Sequence, residues 1–144
     1  MNLQLTDEQI MIRDMMREFA RSEIEPYAHE YNTRGEYPAG IIKKLGALGL
    51  FGMMVPERYG GSAAGAVSYS LALQEVAFSC ASVAVTLSVT NLATEPILKF
   101  GSDEQKRSFL IPMASGEHVG AFALTEPEAG SDPSSLKTSA VKKG

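Results

Sequence analysis

A stretch near residue 125 is rich in hydrogen-bonding groups and poor in reactive ones. Residues 121–135 read AFALTEPEAGSDPSS, with no Lys, Arg, His or Cys, so they offer neither a cation nor a nucleophile with its base. The hydroxyls of Thr125 and Ser131 and the backbone N–H groups are donors, and Gly130 allows close approach to the backbone. These donors suit a cofactor with several acceptor atoms, although composition alone favours an acidic surface turn.

The remaining reactive residue types do not form a recognisable site. His29 and His118 are far apart and lack metal-ligand spacing, so we predict no metal site. Cys80 lies at the end of a predicted helix and is expected to be a small buried residue. The glycine-rich stretches GALGLFG and GGSAAG lack the preceding strand and the spacing of a dinucleotide-binding loop.

Composition indicates one ordinary globular domain. The chain has 144 residues, of which 44% are hydrophobic and 21% charged. The net charge of -4 argues against binding to nucleic acid or to an anionic membrane surface. No apolar run approaches the ~18 residues of a spanning helix, and the first residues resemble no leader peptide. We expect a cytoplasmic protein, or one of the mitochondrial matrix if it is processed.

Two helices are predicted in the first fifty residues. Thr6 and Gln9 form a capping-box pattern before an apolar face with helical spacing. Pro26 predicts a kink or an end near Glu25, with another turn or two before a loop at residues 32–35. A second helix is predicted over residues 38–49. The segment that follows, MMVPERYGG, is interpreted as extended chain and loop.

The middle of the chain predicts four more helical pieces. Residues 66–78 have the pattern of a helix. Propensity favours a strand for residues 82–95, but their apolar spacing favours a helix, which is our prediction. Pro96 is expected to open or kink a short further piece. A second capping box, Ser102 with Gln105, begins the last helix.

The pattern changes after Gly116. Residues 118–124 and the final KTSAVKKG are predicted to be strands. Two strands alone are marginally stable. The sequence is therefore expected to be a piece of something longer.

Three segments resemble the acyl-CoA dehydrogenase family. Residues 123–135, ALTEPEAGSDPSS, match its signature of a small and an aliphatic residue, Thr-Glu, two variable residues, small-Gly-Ser-Asp, two variable residues and a small one. MMVPERYGG is similar to the family's Val-Pro-Glu…Tyr-Gly-Gly segment, and LTDEQ…REFARSEIEPYA to its first helix. The resemblance covers the whole chain.

The resemblance implies a mainly α fold and two parts. Residues 1–117 would form the N-terminal helical domain of an acyl-CoA dehydrogenase-like fold. Residues 118–144 would be the first strands of a truncated middle β-domain, with a C-terminal helical domain still to follow. The full-length protein is expected to be a homotetramer or homodimer.

The resemblance also implies flavin-dependent α,β-dehydrogenation of an acyl-CoA thioester. A carboxylate base removes the α-proton and FAD accepts the β-hydrogen as hydride, after which an electron-transferring flavoprotein takes the electrons. The base is expected beyond Gly144, so no catalytic residue is assigned. The chain alone is expected to be inactive, to bind FAD weakly or not at all, and to self-associate.

A cofactor-binding set follows from the same resemblance. Its members are Phe122, Leu124, Thr125, Gly130 and Ser131. The N–H of Leu124 and the hydroxyl of Thr125 would face the pyrimidine side of the flavin, which becomes anionic on reduction. Ser131 would touch both flavin and acyl-CoA.

Two acidic residues of the signature are given another role. Glu126 and Asp132 are expected to hold the loop, because an unpaired carboxylate beside an anionic flavin would be unfavourable.

A substrate-binding set is implied on the helix after Ser82, which the resemblance lays beside the acyl tail. Its members are Val85, Ser88, Val89 and Leu92, together with Ser131. Between residues 76 and 98 the only charged residue is Glu95, so a buried tail carboxylate would have no cationic partner there. We therefore predict a monocarboxylic acyl-CoA with a neutral tail.

Other functions fit the same sequence. An acyl-CoA oxidase, a nitroalkane oxidase or a flavin-dependent monooxygenase on this fold would differ mainly in oxygen access. A helical interaction module without chemistry belongs to a different class. Bound flavin would separate the enzymes from the module.

Overall fold

Six α-helices make up most of residues 4–143, which are the residues that the computed structural model describes. They are α1 Asp7–Phe19, α2 Glu25–Arg34, α3 Ala39–Ala47, α4 Gly65–Ser79, α5 Ala81–Phe100 and α6 Asp103–Ala114. The predicted mainly α fold is confirmed. Both predicted capping boxes are present, at Thr6 and at Ser102.

The proline in the first helix is accommodated by a π-helical turn, Ala20–Ile24, which joins α1 to α2. The N–H of Glu25 donates to the carbonyl of Ala20, five residues back. The wider turn relieves the crowding that the Pro26 ring would cause in a regular helix. The predicted loop at residues 32–35 is wrong in extent, because α2 continues to Arg34 and ends at Gly35, whose φ is 64°.

The segment MMVPERYGG is compact, so the prediction of an extended chain is wrong. It follows the 3₁₀ turn Leu50–Gly52 and contains a second 3₁₀ turn, Glu57–Tyr59. Gly61 returns so close to the start of the segment that a Cβ there would lie 2.0 Å from the carbonyl oxygen of Val55. The glycine therefore closes a tight loop that a side chain would open, a packing requirement that local propensity does not reveal.

Helix α5 is central, since it packs between α4 and α6, and α4 in turn packs on α1. The fully buried side chains of Met16, Val76 and Leu87 join α1, α4 and α5 in the main core. The helical prediction for residues 82–95 is confirmed. Pro96 lies inside α5 and does not begin a separate piece.

The length and mean hydropathy of α5 would allow it to cross a membrane, the one such helix among residues 4–143. Run length alone misses this property because Ser, Thr and Asn residues interrupt the apolar stretches. Val83, Leu87 and Thr90 are fully buried against the neighbouring helices. Its place in the core explains part of its apolar character, because 39% of the apolar stretch is buried.

No strand is present in the described part of the chain, so the strands predicted at residues 118–124 and in KTSAVKKG are not confirmed. A single antiparallel bridge, between Glu126 and Ala129, is the one β contact there. A strand requires a hydrogen-bonded partner along its length. Residues 118–124 have the composition of a strand but no partner within residues 4–143.

Candidate functional site

The segment that carries the predicted cofactor set is held against α5 and α6. The N–H of His118 donates to the carbonyl of Pro112 over 3.0 Å. At Gly120 the backbone is so close to α5 that a Cβ would lie 2.9 Å from Ala93 Cβ and 3.2 Å from Thr90 Cα. Glycine therefore fixes the path of residues 118–122 along α5, a role that the sequence did not predict.

An uncharged groove of about 370 Å³, which we call the α5–segment groove, lies between α5 and this segment. Its lining residues are Tyr37, Val85, Thr86, Val89, Val119, Gly120, Ala121 and Phe122. Phe122 comes from the predicted cofactor set, and Val85 and Val89 from the predicted substrate set. The structure therefore brings part of both sets to one place.

A second groove of about 360 Å³, the α4–α5 groove, adjoins the first at Val89, which lines both. Its lining residues are Met54, Tyr69, Ser88, Val89, Asn91, Leu92 and Glu95. Three of the four predicted substrate-binding residues of α5 are among them. Glu95 is the one charged residue, and it forms an ion pair of 3.2 Å with Lys99, outside the groove.

The sequence analysis missed several of these lining residues. Tyr69 and Met54 come from α4 and from the turn before Val55, elements whose apposition to α5 no local pattern shows. Burial raises the pKa of the Tyr69 phenol. Asn91 carried a signal that was not used, because it is a polar residue in an apolar helix stretch and is 3% exposed.

The signature turn is closed by its own backbone and by Glu126. Glu126 and Ala129 exchange backbone hydrogen bonds of 2.8 and 3.2 Å. The Glu126 carboxylate accepts from the N–H groups of Lys137 at 2.7 Å and Thr138 at 2.9 Å, and also from the Thr138 hydroxyl. The Thr138 hydroxyl first, and then these N–H groups, hold the pKa of Glu126 below its usual value.

Asp132 is paired in the same way. Its carboxylate accepts from the hydroxyl of Ser134 at 2.6 Å and from the Ser134 N–H at 3.0 Å. Both bonds, the hydroxyl's first, hold the pKa of Asp132 below its usual value. The prediction that Glu126 and Asp132 hold the loop is confirmed.

The donors of the cofactor set are left unpaired within residues 4–143. The hydroxyls of Thr125 and Ser131 form no hydrogen bond there, and neither does the N–H of Leu124, whose side chain is half exposed. A Cβ built on Gly130 would meet only Thr125 Cγ2, at 3.7 Å, so the space beside this glycine is open. Together these groups offer several donors and one open backbone approach to an acceptor-rich cofactor.

The turn and the grooves are not merged into one cavity. Leu124, Thr125, Gly130 and Ser131 line neither groove. The predicted double contact of Ser131 with flavin and acyl-CoA therefore stays a prediction. Among the described residues no cluster of three His, Cys, Asp or Glu side chains has the arrangement of a metal site.

Comparisons with family models, curated proteins and solved structures all identify the same family. The model of the acyl-CoA dehydrogenase N-terminal domain matches residues 6–117. An acyl-CoA dehydrogenase of Bacillus subtilis is 51% identical over 142 residues, which are 98% of this chain and 38% of that protein. The chain thus spans well under half the length of the curated relatives it matches.

Solved structures show the same fold. A chain of butyryl-CoA dehydrogenase from Megasphaera elsdenii is 39% identical, with a TM-score of 0.86 over 96% of this chain and 37% of that one. A chain from a structure described as the electron transferring flavoprotein of Acidaminococcus fermentans is 42% identical. Its TM-score is 0.92 over 100% of this chain and 38% of that one.

Proposed function

Because the chain belongs to the acyl-CoA dehydrogenase family, we propose that the full-length protein performs flavin-dependent α,β-dehydrogenation of an acyl-CoA thioester. Residues 1–117 would form its N-terminal helical domain and residues 118–144 the start of its middle β-domain. The observation that carries the proposal is the meeting of Phe122 with Val85 and Val89 in one uncharged groove. This arrangement suits an apolar tail that lies beside a planar cofactor.

FAD is the cofactor that we propose, and the described residues fit it. Bound FAD would supply the hydride acceptor. The Leu124 N–H and the Thr125 hydroxyl would donate to the cofactor edge that gains negative charge, and preorganised donors stabilise such charge most in a site closed to water. Gly130 would admit the cofactor to the backbone. Glu126 would stay ionised but turned toward Lys137 and Thr138, away from that charge.

The acyl tail is proposed to lie along α5. Val85, Ser88, Val89 and Leu92 would contact it, with Val89 at the junction of the two grooves. Ser131 would reach both cofactor and thioester from the signature turn. The proton-abstracting carboxylate is proposed to come from the part of the full-length protein that follows residue 144.

Further partners are proposed from the family alone. An electron-transferring flavoprotein would reoxidise the cofactor, and a dimer or tetramer would be the working assembly. The cytoplasm is the proposed location, with the mitochondrial matrix for a processed form.

Anaerobic titration of the full-length protein with acyl-CoA thioesters tests the activity. We expect a yellow protein whose flavin absorbance is bleached by butyryl-CoA or hexanoyl-CoA. A colourless protein, or one that no acyl-CoA bleaches, would contradict the proposal. Rapid bleaching followed by equally rapid reoxidation in air would indicate an oxidase instead.

The position of the tail has its own test. Ser88→Phe fills part of the α4–α5 groove, so kcat/KM should fall more for long acyl tails than for short ones. Ser70→Phe, on an exposed position of α4 that lines neither groove, is the matched control. Equal losses for all tail lengths would place the tail elsewhere.

A further inference from the structure

The wall that α4 contributes to the α4–α5 groove is a single phenol ring. Among the residues that the structure describes, Tyr69 is the one residue of α4 that lines this groove. Its ring is partly buried and packs against the main core, which joins α1, α4 and α5. A tyrosine side chain has few rotatable bonds, and a packed ring keeps its position. Tyr69 therefore closes the α4 side of the groove as a fixed surface.

The other lining residues leave the groove open opposite this ring. Ser88 is small, and its hydroxyl donates to the Val85 carbonyl at 2.9 Å, which holds it against its own helix. Asn91 is 3% exposed and presents almost no surface to a ligand. Met54 is unbranched and flexible, so it can move aside. The bulk that limits the groove across from α5 is therefore the Tyr69 ring.

The two grooves give the ring a place in the path of an acyl tail. Of these two grooves, Phe122 lines only the α5–segment groove and Tyr69 only the α4–α5 groove, while Val89 lines both. The reacting carbons would lie beside the cofactor, near Phe122. A tail that extends from there along α5 meets Val89 first and Tyr69 afterwards. The ring would therefore contact only the distal part of the tail.

We propose that Tyr69 sets the maximum length of the acyl tail, a specificity that rests on the function proposed above. A tail that ends before the ring fits the groove as it stands. A longer tail has to displace a ring that packs on the main core, and overpacking of this kind is unfavourable. The preferred substrates are therefore thioesters with short or medium tails, such as butyryl-CoA and hexanoyl-CoA, and long tails such as that of hexadecanoyl-CoA are disfavoured.

The test measures kcat/KM of the full-length protein for a series of straight-chain thioesters from butyryl-CoA to hexadecanoyl-CoA. For the wild type, kcat/KM should fall by about tenfold or more between hexanoyl-CoA and hexadecanoyl-CoA. The readout for each variant is the ratio of kcat/KM for hexadecanoyl-CoA to that for butyryl-CoA. A general structural defect lowers both values and leaves this ratio unchanged.

The variants change the size of the ring in both directions. Tyr69→Ala removes it and should raise the ratio by about tenfold, whereas Tyr69→Trp enlarges it and should lower the ratio. Tyr69→Phe keeps the ring without the hydroxyl, so its ratio should equal that of the wild type. Tyr27→Ala removes a tyrosine ring of α2 that lines neither groove, and it is the matched control.

Equal kcat/KM values for butyryl-CoA and hexadecanoyl-CoA in the wild type would overturn the inference. An unchanged ratio in both Tyr69→Ala and Tyr69→Trp would overturn it as well, and so would a Tyr69→Phe variant that behaves like Tyr69→Ala, because the hydroxyl would then matter instead of the ring. If Tyr69→Ala fails to fold, Tyr69→Leu replaces it and should raise the ratio by a smaller factor. Failure of the underlying function looks different, because no acyl-CoA of any length would then bleach the flavin.

Discussion

The carboxylate of Glu126 ties the signature turn to residues 11 and 12 positions further along the chain. Its pKa is lowered in the folded protein, chiefly by the Thr138 hydroxyl and then by two backbone N–H groups. A group with a lowered pKa contributes stability that is present above its unfolded pKa. That contribution is lost as the pH falls through the folded value.

Amide hydrogen exchange of the full-length protein measures this link directly. Protection of the Lys137 and Thr138 amides should be constant near neutral pH and fall below the ordinary pKa of a glutamate. Glu126→Gln should reduce the protection near neutrality and flatten its pH dependence. Glu128→Gln, whose side chain is 71% exposed and pairs only with Lys137, is the control. If both variants behave alike, Glu126 does not hold the turn.

The hydroxyl of Thr125 is the proposed hydrogen-bond donor of the same turn, and its removal tests that role. Thr125→Val keeps the shape of the side chain and removes a hydroxyl that no described residue uses. A hydrogen bond to a charged group contributes about 1.5–3 kcal/mol, so cofactor reduction should slow roughly tenfold or more if the loss is expressed in the transition state. The flavin potential should fall as well.

Stopped-flow reduction and a potentiometric titration of the full-length protein provide the measurement. Thr33→Val, on an exposed position of α2, should change neither quantity. An unaltered rate and potential in the Thr125 variant would remove this residue from the cofactor site.

At the level of elements, local chemistry predicted most of the helices. The capping boxes at Thr6 and Ser102 depend on residues three apart, and both are found as expected. The apolar face of residues 82–95 outweighed their strand propensity because α5 packs on two neighbours, and packing decides the conformation of β-branched sequences. The signature turn was likewise recognisable, since its glycine and its acidic residues are adjacent in sequence.

Features set by distant parts of the chain were not predictable in this way. The turn before Val55 depends on Gly61, and Tyr69 reaches the groove only through the packing of α4 on α5. The strand pattern of residues 118–124 reports a preference that no partner within residues 4–143 satisfies. The need for glycine at position 120 was not predictable either, because it arises from the close approach of the backbone of α5.

Gly120 yields a prediction about the segment as an element. Gly120→Ala places a Cβ within 2.9 Å of Ala93 and 3.2 Å of the Thr90 backbone, closer than such contacts normally occur. Overpacking of this kind costs about 1–3 kcal/mol, so the segment should shift away from α5. The full-length variant should melt at a lower temperature and release its flavin more readily.

Gly40→Ala is the matched control, because nothing lies within 4 Å of a Cβ there. Alanine is also a better helix former than glycine, so the control should be neutral or slightly more stable. Thermal unfolding followed by flavin fluorescence compares the two. Equal melting temperatures would mean that the segment does not depend on close contact with α5.

At the scale of the whole molecule, large apolar side chains remain on the surface of the described residues. Phe78 and Phe100 are 85% and 84% exposed. Such surface is unusual for a protein that works alone and is typical of one covered by further parts or partners. The relatives, of which this chain spans 38%, have the length to provide that cover.

The isolated 144-residue chain is therefore expected to self-associate and to bind FAD weakly, since it carries one wall of the proposed site. Light scattering during gel filtration, with and without FAD, measures both properties. Phe100→Ser should reduce the association, while the exposed substitution Ser70→Ala should not. A monomer that retains stoichiometric flavin through the column would contradict this expectation.

The charge of the substrate is decided by the whole groove. Glu95 is the one charged side chain that lines the α4–α5 groove, and Lys99 lies outside it. A carboxylate at the end of the acyl tail would lie near the negative charge of Glu95, and no cation lines the groove to pair with it. A buried charge without a partner costs several kcal/mol. We expect kcat/KM for glutaryl-CoA to be at least about a hundredfold below that for hexanoyl-CoA, as a cost of about 3 kcal/mol implies.

Glu95→Gln should reduce this difference in kcat/KM by removing the repulsion, whereas Glu104→Gln on the exposed start of α6 should leave the difference unchanged. A wild-type preference for glutaryl-CoA over both butyryl-CoA and hexanoyl-CoA would show that a cation from another part of the full-length protein reaches the tail, and that α5 does not set the charge of the substrate.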